Sequence, residues 1–213
     1  MNKSDIYQLL QTRALWHEIT EHEAVFNMEE VSHVALPYPE CNAKNLFLCD
    51  KKKTNYYMVT VQGDKRVDLK SLRQKLQSKP LTFASEEVLK EMLGLFPGAV
   101  TPFGLLNDEK RAVSLYIDDG LLKEPGIIGL HPNDNTATVW MKVNDLVALL
   151  REHGNRVDFV NLSSDLSTAA TLVADAQSHT ANDHHRDADN AHQGGGFMKE
   201  PNTENGGAHA ANS

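Results

Sequence analysis

Two apolar segments separated by six polar residues predict a pair of β-strands between residues 45 and 61. Asn45–Cys49 is a short apolar run, and Tyr56–Val61 is rich in the β-branched and aromatic residues that favour strands. Between them, Asp50–Asn55 combines turn-forming residues with three consecutive lysines. We therefore expect two adjacent strands joined by a tight basic connection, with the rest of the fold arranged around them.

Apolar residues at helical spacing, with capping residues at the ends, predict five helices. Ser4 is the expected N-cap of the first helix, and Asp68 and Ser85 have the same position before two others. Gly94 and Gly154 favour termination of the helices that precede them. The predicted helices are Asp5–Ala14, 28–36, 69–77, Glu86–Leu93 and a last helix that begins at Asn144 or Asp145.

Short apolar segments predict five further strands, so that the chain is a β-rich mixture of helices and strands. A turn signal at Asn133-Asp134-Asn135 makes a hairpin of the third and fourth of these strands. The loop Phe96–Leu106 holds two prolines and two glycines, and we expect it to be shaped, with few ways to hydrogen-bond itself. The further strands are Trp16–His22, Ala112–Ile117, Ile127–His131, Thr136–Met141 and Val157–Leu162.

From Ser163 onward the hydrophobic pattern stops, and Ala, Asn, Asp, Gly, Ser and His dominate. Such a segment cannot bury enough apolar surface to offset the entropy lost on ordering. We therefore expect residues 163–213 to be a disordered, acidic, low-complexity tail. Its histidines could bind adventitious metal, although a solvated tail is favoured. Residues 1–162 are expected to form one folded domain.

The composition favours a cytoplasmic globular protein. Hydrophobic residues make up 40% of the chain and charged residues 23%, as in soluble domains. No apolar run approaches the length of a membrane span, and the N-terminal segment is too polar for a secretory signal. Cys41 and Cys49 are the only cysteines, which fits a reducing compartment and provides no disulfide framework.

The net charge of −8 hides a basic segment. Seven acidic and two basic residues from Ser163 onward contribute −5, and this leaves −3 for the folded part. Between Lys51 and Lys79 there are nine Lys or Arg residues and only two acidic ones. Because the local field matters more than the sum, a polyanion could bind there despite the acidic pI. For the cations of the 69–77 helix, a solvated helix face is a strong alternative.

Three features are candidates for chemistry, and each also has a purely structural interpretation. Lys44 is an ionisable residue at the start of the first central strand, where its ammonium could also simply reach water. The 96–106 loop could present backbone groups to a small polar ligand, or could be a rigid turn. His131 follows an apolar strand, and a lone histidine there is more often structural. His17, His22 and His33 are interpreted as structural or surface residues.

These motifs, taken in order, resemble a known family. The segment CNAKNLFL, the Gly98-Ala99-Val100-Thr101-Pro102 spacing and the segment GLHPNDNTATV are similar to those of the prolyl-tRNA synthetase-associated, YbaK-type editing domains. Within that family they most resemble the free-standing branch that deacylates alanyl-tRNA(Pro), called ProXp-ala or PrdX. The resemblance covers the folded part and not the tail. It implies an α+β fold with a barrel-like mixed β-sheet flanked by helices.

The resemblance also implies site residues. Lys44 matches the functional lysine of the family, and Asn45 matches the asparagine that follows it in this branch. The segment Gly98–Pro102 matches the GxxxP loop whose main chain holds the aminoacyl group, so Gly98, Ala99, Val100, Thr101 and Pro102 are expected to bind substrate. His131 matches the pocket histidine. For tRNA phosphates we expect Lys51, Lys52 and Lys53, with Lys65, Arg66 and Arg73 as weaker candidates.

The implied activity is hydrolysis of the ester of mischarged tRNA(Pro), most of all alanyl-tRNA(Pro), without a metal or other cofactor. The expected partners are aminoacylated tRNA(Pro) and, as a further option, prolyl-tRNA synthetase, but neither DNA nor a membrane. Two alternatives stay open: a Cys-tRNA(Pro) deacylase, and a non-catalytic tRNA- or synthetase-binding module on the same fold. A third, that Cys41 or Cys49 is a nucleophile, has little support because neither has an evident local base.

Overall fold

The computed structural model describes residues 1–25, 30, 34–63 and 65–162. The expected tail from Ser163 lies outside these residues, and so does most of the helix expected for 28–36. The described helices are α1 (Lys3–Thr12), α2 (Leu69–Lys75), α3 (Glu86–Leu93) and α4 (Val143–His153). The strands are β1 (His17–Glu21), β2 (Ala43–Asp50), β3 (Tyr56–Gln62), β4 (Leu81–Phe83), β5 (Val113–Asp118), β6 (Ile127–Leu130), β7 (Ala137–Lys142) and β8 (Val157–Val160).

The strands form two sheets, and the expectation of a mixed α and β fold is confirmed. The larger sheet has the order β4-β2-β3-β5-β8, with β4, β2 and β3 antiparallel and β3, β5 and β8 parallel. The smaller sheet, β1-β7-β6, is antiparallel and contains the predicted hairpin. An isolated parallel bridge between Asn42 and Gly129 joins the two sheets. Among the described strands there is no closed barrel.

Most of the predicted helix ends are confirmed, but two helix starts are corrections: α4 begins at Val143, and not at Asn144 or Asp145, and α1 also begins earlier than expected. The N-cap of α1 is Asn2, not Ser4, because Asn2 and Asp5 complete a capping box in which each side chain accepts from the backbone N–H of the other. Asp68 caps α2 with hydrogen bonds to two backbone N–H groups. The helices α3 and α4 end at Gly94 and Gly154, both with a left-handed backbone.

The two faces of the larger sheet have separate hydrophobic cores, and β2 contributes to both. Side chains alternate along a strand, so Leu48 faces the smaller cluster, which includes Leu72 of α2. Phe47 faces the main core, which also contains residues of α1, α3, α4 and the smaller sheet. The same alternation places Lys44 on the face of Leu48, and Asn45 on the face of Phe47.

One edge of β2 is only partly covered. β3 pairs with Ala43–Cys49 of β2 on one side. On the other side β4 pairs only with Leu48–Asp50, and the bridge to Gly129 lies before the strand, at Asn42. Within the part of the chain that the structure describes, the edge of β2 between these points has no strand partner. Lys44 and Asn45 both lie in this open stretch.

Candidate active site

Lys44 lies in β2 and is partly buried. Its Nζ donates a hydrogen bond to the backbone carbonyl oxygen of Lys65, just beyond the end of β3. It is paired in register with Val61 of β3. The ammonium therefore has a defined position on the α2 side of the sheet, rather than sweeping freely through solvent as a surface lysine would.

Asn45 connects the candidate loop to the sheet. Its Nδ2 donates to the carbonyl oxygen of Val100 at 3.0 Å, and its Oδ1 accepts from the hydroxyl of Thr60 at 2.8 Å. Thr60 is fully buried and lies opposite Asn45 on β3. Both polar ends of the amide are thus used, which fixes its rotamer and holds the Gly98–Pro102 loop against β2. Thr60 was not singled out by the sequence, because its pairing with Asn45 depends on strand register.

The Gly98–Pro102 loop is more ordered than its composition suggests. It leads into a 3₁₀ helix, Pro102–Asn107, whose N-cap Thr101 accepts a hydrogen bond from the N–H of Phe103. The N–H of Ala99 donates to the carbonyl of Phe96 at 3.0 Å. The expectation that this loop would have few hydrogen bonds of its own is therefore wrong. Gly98 has φ +91°, which favours glycine, and Ala99 and Thr101 are fully buried.

His131 lies directly after β6, beside a second histidine. Its Nδ1–H donates to the carbonyl oxygen of Ala137 at 2.9 Å, which leaves the Nε2 lone pair as the acceptor of a neutral ring. Burial lowers the pKa of His131 although the hydrogen bond to Ala137 opposes the shift, and this favours the neutral form of the ring. The two ring centroids are 6.0 Å apart. His22, interpreted from the sequence as structural or surface, therefore belongs to the surroundings of His131.

The bridge between the sheets relates these residues to one another. Asn42 and Gly129 pair in parallel, and Lys44 and His131 each follow two residues later along the chain. Lys44 and His131 are therefore the same number of residues beyond the bridge, one on each of the two paired segments. Asn45 is joined to the loop by a direct hydrogen bond, whereas Lys44 lies on the opposite face of β2. The face of β2 that carries Asn45 and the loop and the face that carries Lys44 both border on the open edge of this strand.

The three lysines of the β2–β3 connection are all exposed. A buried carboxylate holds this connection in place. Asp50 is fully buried and accepts from the backbone N–H and hydroxyl of Thr54 and from the side chain of Asn55, at 2.7–2.9 Å. The backbone hydrogen bond from Thr54 and the bond from Asn55 hold the pKa of Asp50 well below its usual range. Lys51 is seven positions after Lys44 and directly follows β2, which corresponds to about 23 Å of extended chain.

The weaker tRNA candidates differ in their surroundings. Arg66 and Arg73 are exposed, and the Nε of Arg73 is 3.4 Å from the carbonyl oxygen of Ser78. Lys65 instead forms an ion pair with Asp118, and the exposed fractions of the two side chains are 22% and 1%. A lysine held by a buried carboxylate is less available to a phosphate than an exposed one.

The two cysteines are poorly suited to act as nucleophiles. Cys41 and Cys49 are both buried, and burial raises the pKa of each thiol above its ordinary value. A raised pKa lowers the fraction of reactive thiolate. Cys41 lines a cavity of about 200 Å³, together with residues that include Gln62, Leu121 and Ile127. None of the predicted site residues lines this cavity.

The described residues also bear on two other classes of site. Among them there is no group of three or more His, Cys, Asp or Glu side chains that could hold a metal ion. No described helix is both long and apolar enough to cross a membrane.

Comparison with known proteins assigns the family. The model of the aminoacyl-tRNA editing domain matches residues 22–149. The chain belongs to the aminoacyl-tRNA editing domain family. It is 38% identical over 146 residues to the prolyl-tRNA editing protein ProX of Acetoanaerobium sticklandii, covering 68% of this chain and 88% of that protein. It is 33% identical over 157 residues to the mouse prolyl-tRNA synthetase associated domain-containing protein 1, covering 72% and 92%.

Solved structures share the fold of this family member at lower identity. A crystal structure of a candidate trans-editing enzyme for prolyl tRNA synthetase matches with a TM-score of 0.54 and 23% identity, covering 75% of this chain and 96% of the other. The crystal structure of the hypothetical protein APE2540 matches with a TM-score of 0.56 and 20% identity, covering 71% and 95%. At these identities the likeness concerns the fold alone.

Proposed function

We propose that this protein is a trans-editing hydrolase that acts in the cytoplasm and cleaves the aminoacyl ester of mischarged tRNA(Pro), with alanyl-tRNA(Pro) as its preferred substrate. Membership of the editing-domain family supports the reaction class. The observation that most supports the proposed site is the hydrogen bond from Asn45 to the Val100 carbonyl. This bond holds the candidate loop against β2, where the edge of that strand is open. Lys44 lies at the same edge, on the other face.

The reaction needs little from the protein beyond positioning. Water adds to the ester carbonyl carbon, the bond to the ribose oxygen breaks, and that oxygen takes up a proton, so free amino acid and tRNA are released. An aminoacyl ester is already activated, so orientation and electrostatic stabilisation can supply the catalysis. In the proposed arrangement Lys44 orients the terminal nucleotide, the Gly98–Pro102 loop holds the ester, and Asn45 and His131 line a pocket sized for a methyl side chain.

The need for such an activity follows from the limits of binding. One methylene changes discrimination by only about 1–3 kcal/mol, so a synthetase site for proline admits alanine at a measurable frequency. A second, smaller pocket can hydrolyse the wrong product because the larger prolyl group does not enter it. The neutral state of His131 fits an apolar side-chain pocket better than a charged ring would.

A deacylation panel with Ala-, Cys-, Ser- and Pro-tRNA(Pro) tests the proposal. We expect Ala-tRNA(Pro) to be hydrolysed fastest and Pro-tRNA(Pro) to be spared. Faster release of cysteine than of alanine would instead assign the Cys-tRNA(Pro) deacylase activity. Binding of tRNA without hydrolysis of any of the four esters would identify a non-catalytic module.

Replacing Lys51, Lys52 and Lys53 together by alanine is expected to weaken tRNA binding without changing amino-acid preference. Each lost phosphate contact lowers the dependence of log Kd on log salt concentration by about 0.7–0.9, so three contacts correspond to about two to three units. The measurement is a salt titration of tRNA affinity. The matched control replaces Lys110, Lys123 and Lys142, which are exposed lysines outside the basic segment. Equal slopes in the two triple variants would mean that Lys51–Lys53 are only a solvated turn.

We propose that residues 163–213 are dispensable for folding and for deacylation, because their composition predicts no packed structure. The chain should be truncated after Leu162, because this residue is buried and its N–H is 3.4 Å from Oδ1 of Asp118. A chain ending at Leu162 should keep its Tm and its rate. A chain ending at Arg156 also lacks β8 and should melt several degrees lower. If the chain ending at Leu162 loses several degrees of Tm or most of its activity, the tail packs against the folded domain.

A further inference from the structure

The contacts around Lys44 extend to a buried acidic residue on another strand. The Nζ of Lys44 donates to the backbone carbonyl of Lys65, and the Nζ of that same Lys65 forms an ion pair with Oδ2 of Asp118. One residue thus contacts Lys44 through its main chain and Asp118 through its side chain. Any shift of Lys65 changes the position of the carbonyl that receives the Lys44 ammonium.

Asp118 is buried at the end of β5, where its carboxylate has several partners. Its side chain is 1% exposed, and its Oδ1 accepts from the N–H groups of Gly120 and Leu162, each at 3.4 Å. The strand itself is parallel to β3 and pairs with it as far as Thr60 and Ile117, one residue before Asp118. The carboxylate therefore occupies a fixed point relative to β3, where the segment leading to Lys65 begins.

We propose that Asp118 is a positioning residue for Lys44, acting through Lys65. The buried carboxylate fixes the Lys65 ammonium, the Lys65 backbone is thereby held just beyond the end of β3, and its carbonyl fixes the Lys44 ammonium on the α2 face of the sheet. Lys65 is then an internal connection and not a phosphate contact. This inference rests on the proposed function of Lys44, and it adds two residues that the family resemblance did not place in the catalytic arrangement.

The test uses single-turnover deacylation of Ala-tRNA(Pro), in which the dependence on enzyme concentration separates the rate at saturation from the tRNA Kd. Asp118→Asn keeps the shape and the acceptor for Gly120 and Leu162 but removes the charge that fixes Lys65. We expect its saturated rate to fall about ten- to a hundredfold, since misplacement of a catalytic group by about 1 Å can cost this much. The tRNA Kd should stay within twofold.

Four further variants make the result specific. Lys65→Met should give the same loss, and Lys65→Arg, which can still pair with Asp118, should recover most of the rate. In a Lys44→Ala background, Asp118→Asn should cause no additional loss, because a residue that acts through Lys44 has nothing left to position. Lys75→Met is the matched control: this partly buried lysine also donates to a backbone carbonyl, that of Asn161, at 2.7 Å, and its loss should leave the rate unchanged.

Several outcomes would overturn the inference. One is a parent rate at saturation in folded Asp118→Asn protein. Another is a weaker Kd with a normal saturated rate in Lys65→Met, which would make Lys65 a phosphate contact. If Asp118→Asn does not fold, the double variant Asp118→Asn/Lys65→Met removes both charges together and gives the same readout. A parent rate in Lys44→Ala, by contrast, would reject the proposed site itself, whatever the Asp118 variants do.

Discussion

Replacing Lys44 by alanine is expected to lower the rate of Ala-tRNA(Pro) deacylation by about 10²–10³-fold, the usual effect of removing one preorganised electrostatic group from an active site. The loss should appear in the rate at saturation, because the ammonium is proposed to orient the terminal nucleotide while the basic turn, about 23 Å along β2, supplies distant phosphate contacts. The measurement is single-turnover deacylation over a range of enzyme concentrations.

The fold should survive this change. Lys44 is partly buried and makes a hydrogen bond to the Lys65 carbonyl, so its loss is expected to cost about 1–2 kcal/mol of the free energy of unfolding. Lys44→Met keeps the aliphatic stem and should lose as much activity as the alanine variant, with a smaller change in Tm. If either variant hydrolyses the substrate at the parent rate, Lys44 is only a strand residue whose ammonium reaches water.

Local sequence patterns were sufficient for most of the secondary structure. The β2–β3 pair and the hairpin of β6 and β7 follow from apolar runs that flank turn residues, and Asp68, Gly94 and Gly154 mark helix ends through their own backbone chemistry. The start of α1 was misplaced by two residues because Ser4 is also a good cap. Only the reciprocal bonds of Asn2 and Asp5 decide between them.

The surroundings of the candidate site could not be predicted in the same way, because they depend on contacts between distant residues. Lys65 belongs to a basic segment, yet its partner Asp118 is 53 residues away and its ammonium is largely withdrawn from solvent. His22 lies beside His131 only because β1 and β6 both pair with β7. Strand alternation, by contrast, was readable in principle and separates Lys44 from Asn45.

Replacing Asn45 by alanine is expected to reduce both stability and activity, through different bonds. The buried hydroxyl of Thr60 loses its acceptor, which costs about 1–3 kcal/mol of the free energy of unfolding. The carbonyl of Val100 loses its donor, so the Gly98–Pro102 loop is no longer held against β2. We expect the deacylation rate to fall by about tenfold or more. The smaller side chain also enlarges the proposed pocket, and hydrolysis of Pro-tRNA(Pro) should become detectable.

A second substitution separates the two effects. In Asn45→Ala/Thr60→Val the unsatisfied hydroxyl is gone, so chemical denaturation should show most of the lost stability restored. The Val100 carbonyl still lacks its donor, so the deacylation rate should stay low and Pro-tRNA(Pro) should still be attacked. Thr60→Val alone keeps the bond from Asn45 to Val100 and should keep most of the rate. If the double variant recovers rate and stability together, Asn45 supports the sheet only, and the loop owes its position at the open edge of β2 to its own 3₁₀ hydrogen bonds.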